Sequence, residues 1–151
     1  MNITDISRIN NMTKDHIYVL NYNYNNQNDY IKRLKHPENI EILCAEPCTP
    51  NCPNRVKHYA FISKYVLGQI PQDQEFPCIN KGKYDLRLDF MKLSTAVTSE
   101  RVDELSEMGI NYFKISGRKM HIPNWLDTIT YYLVLPEYKE YVFTELLSSW
   151  W

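Results

Sequence analysis

Ile40-Glu41-Ile42-Leu43-Cys44-Ala45, then the Pro-rich turn from Pro47 to Pro53, then residues 54–67: this stretch decides the fold. Its first six residues are a short apolar run, which reads as a strand. Three prolines, Pro47, Pro50 and Pro53, then punctuate a turn. From Asn54 onward Val56, Ala60, Phe61 and Val66, with Tyr59 and Tyr65, recur at roughly a 3.6-residue period, which reads as a helix. Gly68 follows as its C-terminal stop. The unit is strand, turn, helix.

The same unit repeats on either side. Residues 16–22 form an apolar and aromatic strand, residues 23–28 a polar turn, and Asp29 an N-cap for a short helix through Leu34. His36-Pro37-Glu38-Asn39 breaks that helix. Downstream, residues 84–93 alternate through Leu86, Leu88 and Phe90 and read as a third strand. Thr98 and Ser99 open a helix with Val102, Leu105 and Met108 on its inner face, closed by Gly109. Residues 110–115 are a fourth strand, Ser116-Gly117-Arg118 turn out of it, and helices follow over 124–133 and 137–147. The tail ends in Trp150-Trp151. Four strand–helix units imply an α/β fold with a mostly parallel sheet, half of a TIM-like barrel. A half-barrel leaves sheet edges open. We therefore expect a homodimer paired through those edges, or edges covered by the N-terminal arm and the C-terminal helix.

With 151 residues the chain has the size of one domain, spanning 1–151, and no Gly/Ser linker divides it. A net charge of −1 gives no broad footprint for nucleic acid. No apolar run is long enough to span a membrane. The start, Met1-Asn2-Ile3-Thr4-Asp5, lacks the basic and apolar stretches of a signal peptide, so we expect a cytoplasmic chain with reduced thiols. Phosphate-loop, dinucleotide-binding, zinc-protease and nucleophile-elbow motifs are all absent.

The chemistry-bearing feature is the spacing of Cys44, Cys48 and Cys52, with three residues between neighbours. It lies where a strand meets a helix, the place where α/β sheets bind ligands. A helix N-terminus stabilises thiolates, and the prolines pre-order the turn. Cys78, in the long irregular stretch 69–83, is a candidate fourth ligand. Four thiolates suit an iron–sulfur cluster, with structural zinc as the alternative. Against both stands the reading of these cysteines, Cys44 above all, as small buried hydrophobes. His58 is a candidate ligand or base, and equally a structural histidine. Lys114 and Arg118 form a candidate anion clamp, weighed against two solvated side chains. Asp85, Arg87 and Asp89 share one strand face, which we read as a charged surface before a site. An exposed Trp150-Trp151 pair would mark a partner surface.

The stretch from Cys44 to Arg55, followed by His58-Tyr59, resembles a segment of the collagenase-like peptidase family. The resemblance continues in Gly109-Ile110-Asn111-Tyr112-Phe113-Lys114-Ile115-Ser116-Gly117-Arg118 and spans roughly Ile9 to Tyr141. It implies a barrel-type fold. It also implies a four-iron cluster held by cysteines, in proteins that take part in oxygen-independent hydroxylation of tRNA or of quinone precursors. Carried over, the ligands are Cys48 and Cys52, joined by Cys78 and Cys44, and Lys114 with Arg118 sits at the barrel mouth. Ser116 stands where the family carries Glu, and the chain resembles only the C-terminal half of the barrel. Two functional expectations follow. One is a metal- or iron–sulfur-binding barrel fragment. The other is a non-catalytic interaction protein, a truncated copy of the kind a virus or mobile element carries, that binds and modulates a host protein.

Overall fold

The computed structural model describes residues 5–12, 15–46, 48–78, 89–115, 122–146 and 148. Its centre is an open sheet of three parallel strands in the order β1-β2-β3: β1 Tyr18–Val19, β2 Ile40–Leu43 and β3 Tyr112–Lys114. Tyr18 pairs with Ile40, Ile42 with Phe113 and Leu43 with Lys114. Single hydrogen bonds carry the pairing past the strand ends. The Leu20 amide donates to the Glu41 carbonyl at 3.0 Å, and the Cys44 amide to the Lys114 carbonyl at 2.9 Å.

Helices alternate with the strands. They are α1 Ile6–Asn10, α2 Asn28–Ile31, α3 Arg55–Val66, α4 Ser99–Glu107, α5 Ile122–Leu133 and α6 Pro136–Tyr141, the last running on as a wide π-type turn through Val142–Leu146. The α/β class and the parallel sheet are those expected from the strand–helix repeat. Most of the strand expected over 84–93, with Asp85 and Arg87, lies outside the described residues. Its described end is not extended: Asp89–Lys92 is a single 3-10 turn. There the Leu93 carbonyl accepts from the Ala96 amide at 3.0 Å, turning the chain so that the Val97 amide reaches the Cys44 carbonyl at 3.4 Å. Arg118 and the Trp150-Trp151 tail also lie outside the described residues.

The side-chain period of two decides which strand residues enter the core. Ile40, Ile42 and Cys44 point to one face and are buried with Leu20, Val97, Leu105 and Ile110. Helix α4 starts where the sequence places it: Thr98 Oγ1 accepts from the Arg101 amide at 3.1 Å, the N-cap bond that satisfies an otherwise orphaned donor. It ends at Gly109, whose φ of +93° is open to glycine and costly for other residues.

Helix α3 departs from expectation. Val56, Ala60 and Val66, which carry part of its apolar period, are exposed: none of the residues of α3 is buried and Val56 is 82% exposed. Phe61, Ile62 and Tyr65, on the opposite side of the helix from Val56 and Ala60, are the apolar residues that it partly buries. Among the described residues no helix is long and apolar enough to cross a membrane.

Candidate functional site

The carboxyl end of β2 runs straight into the turn that carries the cysteines. Three residues past the strand, Glu46 is buried, and nine residues later Arg55 opens α3. The turn folds back so that these two meet: Arg55 Nη2 donates to Glu46 Oε2 at 2.9 Å, with side chains 15% and 8% exposed. The guanidinium lies 4.2 Å from the centre of the Tyr22 ring and 4.7 Å from that of Tyr59, and Nη2 also donates to the Tyr59 hydroxyl at 3.1 Å. Stacking on two aromatic rings suits the planar, weakly hydrated guanidinium. Its Nη1 is buried and makes no hydrogen bond. The buried carboxylate keeps Arg55 protonated beyond its already basic range.

The turn is pinned at three points. The Tyr22 hydroxyl donates to the Thr49 carbonyl at 2.8 Å. The Asn51 amide donates to Asn23 Oδ1 at 2.9 Å, and Asn51 itself takes a φ of +52°, which asparagine tolerates better than most residues. The Cys52 amide donates to the Thr49 carbonyl at 3.2 Å. Cys48 is thereby held against Tyr22 and Arg55. Burial raises its pKa, and its contacts with Arg55 and Tyr22 oppose that rise. Cys52 is near enough to act on Cys48 electrostatically.

The other expected site residues stand elsewhere. Cys44 is a core residue: burial pushes its thiol up to about 12, and its sulfur faces the Ile42 carbonyl at 3.9 Å. It also lies near Tyr132, whose hydroxyl donates to the Val97 carbonyl at 2.6 Å. Cys78 follows Phe76 in the loop after α3, and His58 stacks on Phe76 with ring centres 4.5 Å apart. Lys114 Nζ reaches Glu41 Oε1 on the neighbouring strand at 3.3 Å, a half-exposed cross-strand ion pair. None of the four cysteines is in a disulfide. Among the described residues no three His, Cys, Asp or Glu side chains converge closely enough to hold a metal ion. Cys44 points into the core, while Cys48 and Cys52 share the turn and, like Cys78, are partly exposed.

Three participants are not marked out by the sequence: Glu46, Arg55 and Asn25. Glu46 and Arg55 carry a legible signal only once the turn is known to reverse the chain between them. Asn25, fully buried, donates from Nδ2 to the Leu43 carbonyl at 3.0 Å and to the Thr95 carbonyl at 3.4 Å. It ties the loop after β1 to the end of β2, and nothing in its local sequence announces that role. Compared with protein-family models, with curated proteins and with solved structures, the chain matches none.

Proposed function

We propose that this chain works by binding another protein and not as a self-contained catalyst. The observation that supports this is the orientation of α5. Its inward side carries polar residues: Asp127, Thr128 and Thr130 are buried, and the Tyr131 hydroxyl accepts from the Ser99 amide at 3.3 Å. Its apolar side faces outward, with Ile122 and Trp125 exposed and Leu133 72% exposed. Leu126 and Ile129, on the same side, are only partly covered. A helix that folds against its own domain normally buries its apolar side. An uncharged apolar face of this kind marks a docking surface, and the chemistry it fits is the apolar face of a helix from a partner protein. The reading includes a reducing compartment such as the cytoplasm, in keeping with four unbridged cysteines.

The test compares the native protein with an Ile122→Asp/Leu133→Asp variant and with an Asp103→Ala control as affinity baits. A partner identified this way is then purified and rebound to each. Native and control should bind alike. The double variant should lose affinity by about tenfold or more, because an unpaired carboxylate would be buried at the interface. Equal binding by all three, or no partner that rebinds in pure form, overturns the proposal.

A second reading rests on a separate observation. The Arg55 guanidinium lies within hydrogen-bonding reach of Cys48 and favours its thiolate. On this reading Cys48 and Cys52 bind a thiophilic metal, as iron–sulfur or zinc, in a relative of the tRNA- or quinone-modifying proteins named above. Anaerobic purification with iron, zinc and sulfide analysis tests it. Metal present in the parent and lost in Cys48→Ala/Cys52→Ala supports the reading. Metal-free protein, or metal kept by the variant, overturns it.

A further inference from the structure

Two helices of this chain carry complementary exposed surfaces. On α3 and the residue after it, Val56, Ala60, Ser63 and Leu67 are all exposed, at spacings of four, three and four. That spacing places them in one stripe along the helix, the pattern of a seam that meets another helix. Val56 and Leu67 stand 82% and 68% exposed. Lys57 and Lys64, both exposed and two turns apart, run along one side of the stripe. No Asp or Glu occurs within α3.

The C-terminal helical segment, α6 with its continuation to Leu146, is the counterpart. It exposes Leu135, Tyr138, Tyr141 and Leu146, interleaved with the exposed acids Glu137, Glu140 and Glu145. Its one base, Lys139, folds back over the Tyr131 ring at 4.5 Å. The outward charge of this helix is therefore negative, and that of α3 positive.

We propose that α3 of one copy packs on the C-terminal helix of a second copy, and the reverse, giving a closed two-fold homodimer. The apolar stripes supply the buried area. The Lys57/Lys64 and Glu137/Glu140/Glu145 rows fix the register and the choice of partner. The charge reversals below leave Ile122 and Leu133 of the α5 face unchanged, so the two proposals are tested by different variants.

Light scattering on the eluting full-length protein tests this. The native chain should run at twice its 18.0 kDa mass and shift toward the monomer in high salt. Lys57→Glu/Lys64→Glu should be monomeric, as should Glu137→Lys/Glu140→Lys, each with an unchanged circular dichroism spectrum. A mixture of the two variants should recover the dimer, since opposite charges then face each other at both contacts. The quadruple variant should dimerise by itself. A native chain that stays monomeric at high concentration overturns the proposal. So does a native dimer that neither charge reversal weakens, or two monomeric variants that fail to rescue each other.

Discussion

Arg55 and Glu46 close a 2.9 Å ion pair across the cysteine turn, with both side chains largely out of solvent. The pair joins the last residues of the β2 segment to the first residue of α3, so it anchors a helix that buries none of its own residues. Removing one partner strands the other charge away from water.

Glu46→Ala and Arg55→Ala are each expected to lower stability by about 3 kcal/mol, near the low end for breaking a buried pair. Arg55→Lys keeps the charge but loses the fork and the stacking on Tyr22 and Tyr59, and should recover only part of the loss. Glu46→Ala/Arg55→Ala should cost less than the sum of its two single changes, because neither charge is then left alone. Urea titrations read all four, and strict additivity would show that the pair does not stabilise the turn.

Several buried groups set the alkaline limb of the stability curve, Cys44 and Tyr22 among them. Burial pushes the Cys44 thiol from an ordinary 9.0 up to about 12, and burial pushes the Tyr22 hydroxyl from 10.0 up to about 12. Each raised pKa means that the fold holds the proton more tightly than the unfolded chain does. The resulting stability is complete below the unfolded values and is lost as pH rises from about 9 toward 12. Urea midpoints should therefore fall across that window, each group adding up to about 1.4 kcal/mol per pH unit to the slope. Cys44→Ala should flatten the slope between about pH 9 and 12, whatever it does to stability at neutral pH. The same burial should shield Cys44 from alkylation in the native protein, while the half-exposed Cys48 and Cys52 react first. An unchanged slope in Cys44→Ala would sink this account.

Features set by local chemistry were legible in the sequence. Thr98 caps α4 and Gly109 ends it because each acts on the backbone within a few residues of itself. The apolar run at β2 could only be a buried strand, and it lies at the middle of the sheet. Features set by the turn between elements were not legible. The three-residue spacing of Cys44, Cys48 and Cys52 says nothing about direction, and the strand's alternation sends Cys44 down into the core while the turn keeps Cys48 above it. Arg55 and Glu46 meet only because the Asn51 turn reverses the chain, and Asn25 finds its carbonyls across 18 and 70 residues. Helix α3 forms where the sequence places a helix, but Val56, Ala60 and Val66 do not mark the side that faces the body of the protein.

Gly68 and Gly109 separate backbone strain from steric conflict. Both have positive φ, +67° and +93°, so alanine at either position is strained. A Cβ at Gly68 meets nothing within 4 Å, whereas one at Gly109 lies 3.1 Å from Pro37 Cγ. Gly68→Ala should therefore cost about 1 kcal/mol, the backbone term alone. Gly109→Ala should cost more, about 2 kcal/mol or above, since strain and overpacking add. The conflict partner is specific. Pro37 opens the 3-10 turn that feeds β2, so a shift there is transmitted to the central strand. Pro37→Ala introduced into Gly109→Ala should recover the steric part and leave the φ penalty. In the Gly68→Ala background the same change should recover nothing. Thermal or urea unfolding of these four variants decides the matter. Equal costs at the two glycines, or no recovery with Pro37→Ala, would mean that the approach of Gly109 to Pro37 does not constrain the entry to β2.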